Sequence, residues 1–138
     1  MRPAINRVLE TALYVDDVAA IVPFYRDVLG LRVLSVNPRL AVMDAGQSTV
    51  LLLFLRGGTT GGLETSGGRI PPHDGSGPIH MAFAIAADAF SAWEAHLREH
   101  GVEIESVVQW DRGGRSIYFR DPAGHALELA TPGTWPVY

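Results

Sequence analysis

Four side chains with chemical capacity sit in short alternating stretches: Glu10 in LETALYV, His80 in IHMAFAI, Tyr118 in RSIYFR and Glu128 in ALELA. In a strand, residues two apart share a face. Parity therefore sets Glu128 with Ala126 and Ala130, against Leu127 and Leu129. His80 falls with Ala82 and Ala84, against Ile79, Met81, Phe83 and Ile85. Glu10 shares its face with Ala12 and Tyr14, opposite Leu9, Thr11, Leu13 and Val15. Ser116, Tyr118 and Arg120 oppose Ile117 and Phe119. A solvated face normally carries many polar groups, whereas alanines around one ionisable residue leave room for a ligand. One glutamate inside LEL ordinarily faces water. Three ionisable residues on matching strands, two of them at equivalent positions of a repeat, point instead into a cavity that holds something.

Two absences narrow what that something is. There is no cysteine, which removes disulfides, thiolate metal sites and thiol nucleophiles. There is no lysine either: all 11 basic residues are arginine. Schiff-base chemistry is excluded, because arginine stays protonated at any working pH. Carboxylate, histidine, hydroxyl and arginine chemistry remain. A net charge of -4 with scattered arginines carries no nucleic-acid footprint. The N-terminal MRPAINRVLE lacks the apolar run of a signal peptide, and no stretch is long enough to span a bilayer, so a cytoplasmic protein is expected.

The elements that must position these residues form a repeat. With 138 residues, 47% hydrophobic and 19% charged, the chain has enough for one domain with a real core. The stretch from Gly57 to Pro78 is so rich in Gly and Pro that it reads as loop, a linker or functional lid. On either side the pieces look alike, LETALYVDDVAAIVPFYRDVLGLRVL and IHMAFAIAADAFSAWEAHLREHGVEI. Each gives a strand, a helix capped by Asp17 or Asp88, a stop at Gly30 or Gly101, and a further strand. Phe90, Trp93 and Leu97 make a buried stripe on the second helix, and Pro23 predicts a kink or late start in the first. Two more strands follow in each half, turning at Gly46 and at Gly113-Gly114. The reading is α+β: two βαβββ modules, about 8–56 and 79–132, in one domain, with helices outside and a curved, incomplete-barrel mixed sheet around a central cavity.

At ALYVDDV…FYRDVLGL, HMAFAI and YFRDPAGHALEL the sequence resembles the vicinal oxygen chelate superfamily, the group of glyoxalase I, extradiol dioxygenases, and fosfomycin- and bleomycin-resistance proteins. The resemblance runs from about Val8 to Pro132 and implies two βαβββ modules cupping a metal site. It assigns the ligand positions to Glu10, His80 and Glu128, with an apolar residue, Leu51 or a neighbour, at the matching place in module one. That implies one divalent ion (Mn, Zn, Ni, Mg or Fe) with positions open to water or substrate. Glu10 stands where the family more often has histidine, a harder donor set that moves the expectation from iron toward Mn, Mg, Zn or Ni. Two carboxylates some 4 Å apart repel by about 4 kcal/mol at an effective dielectric near 20, a conflict that a divalent cation removes.

Around this set, Tyr118 lies on the Glu128 face and is the expected substrate hydrogen-bonding and catalytic group, with its alternative a cavity-wall tyrosine. Tyr14, Trp110, Arg115 and Ser116 are expected to line the substrate site, and His73 becomes an acid or base if the Gly/Pro loop folds over it. His96 and His100 read as a solvated helix face, and His125 as structural. The expected function is metal-dependent chemistry on a small oxygenated substrate, with the cation stabilising an enolate or oxyanion, in a homodimer with no nucleic-acid or membrane partner. The rival is a metal-free dimer that sequesters a drug-like ligand, as bleomycin-resistance proteins do.

Overall fold

The computed structural model describes residues 1–138. The chain divides into two compact units, Met1–Ser76 and Gly77–Tyr138. Unit one runs β1 (Glu10–Val15), α1 (Val18–Pro23), β2 (Arg32–Asn37), β3 (Leu40–Gly46) and β4 (Thr49–Leu55), then a small hairpin of β5 (Leu63–Thr65) and β6 (Gly68–Ile70). Unit two runs β7 (His80–Ala84), α2 (Phe90–Glu99), β8 (Ile104–Gln109), β9 (Arg115–Arg120) and β10 (Ala126–Ala130). The sheets are ordered β1-β4-β3-β2 and β7-β10-β9-β8. In each, the first and last strands pair in parallel and the others antiparallel. Two βαβββ modules of α+β class are therefore present, as the repeat predicts.

In unit one the Asp17 carboxylate accepts from the Ala20 N–H at 3.1 Å and starts α1. Pro23 ends the α-helical turn rather than delaying it. Lacking an N–H, it cannot bond the carbonyl four residues back, and the chain continues as a π-helical turn over Phe24–Val28. Gly30, at φ 75°, takes the left-handed conformation that closes this segment. The helix lays Ile21, Val22 and Tyr25 over Leu13, Val15, Met43, Leu51 and Leu53, all buried. Each such side chain contributes about 1.5–3 kcal/mol of burial.

Unit two repeats the plan with a different start. Asp88 is not the N-cap: it lies inside a 3₁₀ turn, Ala87–Ala89, that precedes α2, and Ala89 occupies the cap position. Phe90 and Leu97 are buried against the face carrying Ile117, Phe119, Leu127 and Leu129, while Trp93 is only half-buried. His125 is also enclosed, its Nδ1 2.7 Å from the Asp121 carboxylate, whose other oxygen accepts from the N–H groups of Ala123 and His125. This ties the DPAGH turn ahead of β10.

The stretch from Gly57 to Pro78 departs from the expected structureless loop. Glu64 faces Arg69 across β5 and β6 with an ion pair of 2.8 Å, and the Thr65 hydroxyl donates to the Gly68 carbonyl, so a short hairpin forms despite the glycines. No helix is long and apolar enough to cross a membrane.

Backbone meets backbone where Gly114 lies against Gly133: a Cβ there would stand 2.4 Å from the Gly133 carbonyl carbon. Gly114→Ala is expected to lower unfolding stability by about 1–3 kcal/mol, read from urea denaturation, whereas Gly67→Ala in the exposed β5–β6 turn is expected to move it far less.

Candidate functional site

Beneath the shared plan lies one register. In unit two His80 pairs with Ala126 and Ala82 with Glu128. In unit one Glu10 pairs with Val50 and Ala12 with Leu52. Glu10 is thus the counterpart of His80, and Leu52 the counterpart of Glu128. Leu51, the first choice for that apolar position, points to the opposite face and is completely buried.

Glu128 does not face water; it is 6% exposed on an inner strand of its sheet. Its Oε2 accepts a 2.5 Å hydrogen bond from the Ser116 hydroxyl, which in turn accepts from the Trp110 indole N–H at 2.8 Å. Oε1 stands 3.2 Å from His80 Nε2. The other imidazole nitrogen, Nδ1, is 2.8 Å from the Ala126 carbonyl oxygen. A carbonyl only accepts, so Nδ1 carries the proton. Nε2 therefore meets the carboxylate either as the second N–H of an imidazolium or as a lone pair, and a lone pair there needs a cation between the two groups. Such a backbone anchor is also how ligating histidines are commonly oriented.

Tyr118 lies directly across from Glu128 in the sheet register, its ring 6.2 Å from that of His80. Burial, with the Glu128 charge adding to it, pushes the Tyr118 phenol above the ordinary tyrosine value. The phenol remains a neutral donor at working pH. Arg115 lays its guanidinium 3.7 Å over the Phe90 ring. Arg120 pairs with Glu105 at 2.9 Å.

In unit one a cavity of about 560 Å³ opens on the Glu10, Ala12 and Tyr14 face of the sheet. Tyr14 stacks on Phe54, with ring centres 5.9 Å apart, and its hydroxyl lies 2.7 Å from His73 Nδ1. His73 is fixed by Thr59: the threonine hydroxyl donates to the His73 carbonyl at 2.5 Å, and the His73 N–H donates to the Thr59 carbonyl at 3.3 Å. The loop does bring His73 to a cavity wall, in unit one. Burial raises the Tyr14 phenol above its usual range, with Asp74 adding to the effect.

These eight residues thus fall into two groups: His80, Ser116, Tyr118, Glu128 and Trp110 in unit two, Glu10, Tyr14 and His73 in unit one. No group of three or more His, Cys, Asp or Glu side chains stands close enough to hold a metal ion. Sequence reasoning missed Arg39, Thr59 and Leu52 as cavity residues. Parity within TVLLLFL carried a signal for Leu52; Arg39 and Thr59 reach the cavity through turns that leave none.

Duplicated βαβββ modules, one of them carrying a His–Glu pair on its parallel strands, define a class of small paired-module proteins. The family model for the Glyoxalase/Bleomycin resistance protein/Dioxygenase superfamily matches residues 5–129, and the chain belongs to that family. It is 31% identical over 119 residues to a protein named metallothiol transferase FosB from Staphylococcus saprophyticus, covering 85% of this chain and 71% of that one. It is 30% identical over 117 residues to glutathione transferase FosA from Serratia marcescens, covering 85% and 74%. The crystal structure of lactoylglutathione lyase from Agrobacterium tumefaciens superposes with a TM-score of 0.87 at 30% identity, covering 97% of this chain and 99% of that one.

The Tyr118 environment is directly testable. In Glu128→Gln the Tyr118 phenol is expected to ionise at lower pH than in the parent, seen by ultraviolet titration with Tyr118→Phe identifying the transition; an unmoved transition would separate the two side chains electrostatically.

Proposed function

We propose that the protein is a metal-dependent enzyme in which His80 and Glu128 hold a divalent cation that engages oxygens of a small substrate. The observation that carries this reading is the His80–Glu128 pair, with Nδ1 committed to the Ala126 carbonyl and Nε2 facing Oε1 at 3.2 Å. One imidazole nitrogen and one carboxylate oxygen are aimed at each other across a space that calls for positive charge. Glu10 occupies the equivalent register position in unit one. The donors are hard and contain no thiolate, a set that suits Mn, Mg, Zn or Ni.

When bound, the cation supplies Lewis-acid stabilisation of negative charge developing on substrate oxygens. The chain's own groups do the rest. Ser116 holds Glu128 by Oε2 and leaves Oε1 toward His80, and Trp110 fixes the Ser116 hydroxyl. Tyr118, kept neutral, donates a hydrogen bond to substrate. Tyr14 and His73 form a proton-sharing pair: with the imidazole proton on Nδ1, Nε2 is free to accept a proton, and with it on Nε2 the ring donates one. Arg115, expected at the substrate site, instead stacks its guanidinium on Phe90 of α2, on the helix side of the sheet. The relatives' names include a metallothiol transferase and a glutathione transferase, which support group transfer as the reaction class.

The active form we propose is a homodimer. Leu34, Val36 and Val107 expose 44–54% of their surface on β2 and β8, and Leu9 exposes 56% just ahead of β1, apolar area that a second copy would cover. The aromatic wall of Tyr14 and Phe54 favours a second reading, a metal-free dimer that sequesters a ligand.

Metal analysis of protein purified without chelator separates the two. His80→Ala and Glu128→Ala are each expected to abolish tight metal binding with the circular-dichroism spectrum unchanged. Stoichiometric metal retained in both variants would defeat the assignment. Light scattering is expected to give twice the chain mass.

A further inference from the structure

Six arginines are ion-paired with carboxylates: Arg26, Arg32, Arg56, Arg69, Arg98 and Arg120. Arg39 is not among them, although it is partly buried and lines the unit-one cavity. Its position is built. The Asn37 side-chain oxygen accepts from the N–H groups of Arg39 and Leu40 at 2.8 and 3.0 Å, and the Arg39 carbonyl accepts from Leu55 at 2.8 Å. Its side-chain stem lies so close over Gly58 that a Cβ there would stand 3.1 Å from the Arg39 Cγ. A guanidinium held at the wall of an apolar cavity with no carboxylate partner is a standing demand for an anion.

The cavity also has a direction. Tyr14, Phe54 and Leu40 lie in line across β1, β4 and β3, so Arg39 sits at the Tyr14 end. Glu10 opens the same strand four residues earlier, about 13 Å away at strand rise. Positive charge thus stands at one end and negative at the other, with Leu52 level with Ala12 between them and Phe54, Leu63 and Ile70 adding apolar lining. At about 560 Å³ the space falls within the range of small-molecule sites.

From this polarity we infer that the unit-one cavity binds an organic monocarboxylate with an aromatic or branched apolar body, its acid group on Arg39 and its far end toward Glu10. Gly75 shapes the wall for a flat body by permitting the Tyr14 ring to lie against the backbone, since a Cβ there would meet that ring at 2.5 Å. His73, its Nδ1 engaged with the Tyr14 hydroxyl, adds a polar group to the wall. This names the substrate class for the reading above, and its Arg39 argument uses no metal.

The test uses the full-length protein in EDTA, with 4-phenylbutyrate, 3-phenylpropionate and 4-methylpentanoate as acids and the matching amides as neutral controls. Calorimetry is expected to show the acids binding at least about tenfold more tightly than their amides. Arg39→Gln should remove that preference while leaving amide binding in place, and Arg39→Lys should restore part of it. Amide chemical shifts should move at residues 10–14, 39–40, 52–54 and 70–73. Equal binding of acid and amide, an unaltered preference in Arg39→Gln, shifts confined to residues 77–138, or no binding of any acid at millimolar concentration would each overturn the inference. Repeating the titration with Glu128→Ala keeps the two ideas apart: acid binding should persist there even if the metal assignment fails.

Discussion

The chemistry of unit two depends on one hydrogen bond, from His80 Nδ1 to the Ala126 carbonyl. It commits the imidazole proton to backbone and turns Nε2 toward a carboxylate that is nearly excluded from water. A bare lone pair opposite a buried carboxylate is costly, so the pair stands ready for a cation, either the proton of an imidazolium or a metal ion. Ser116 and Trp110 extend the same logic outward. Each hydrogen bond spends an atom that would otherwise wander, leaving one oxygen and one nitrogen facing each other.

The duplicated register shows how one scaffold yields two different surfaces. Parallel pairing of the first and last strands sets Glu10 and Leu52 in unit one at the places of His80 and Glu128 in unit two. Replacing a carboxylate by leucine converts a cation-seeking pair into an apolar wall. Around that wall gather Tyr14, Phe54 and the β5–β6 hairpin, and the result is a cavity instead of a ligand set. The guanidinium of Arg39 is the one cation this wall carries, and its isolation from carboxylates gives the cavity its polarity.

The helices are needed for these faces to stay where they are. Leucine, isoleucine and aromatic side chains on alternate positions must be covered, and α1 and α2 cover them, which leaves the alanine-flanked faces for other work. Pro23 and the π-helical turn that follows show the first helix adapting its hydrogen bonds to keep Tyr25 completely buried in that core.

Strand parity alone made the two faces of each sheet legible, because a side-chain period of two admits only two outcomes and burial of Leu127 and Leu129 chooses between them. The βαβββ repeat, the Asp17 cap and the glycine stops were readable for the same reason, since each is a local preference with a local cause. What local pattern missed was decided by contacts between distant segments. The Gly57–Pro78 stretch forms a hairpin because Glu64 meets Arg69, a pairing that glycine content conceals. Asp88 lost its cap position to a 3₁₀ turn, and Arg39 entered the cavity through a turn with no periodicity to betray it. Residue types and their alternation determined which groups exist and which way they face. Only the folded chain decided which of them meet, because hydrogen bonds such as those of Ser116 with Glu128 and Tyr14 with His73 join atoms that the order of residues does not bring together.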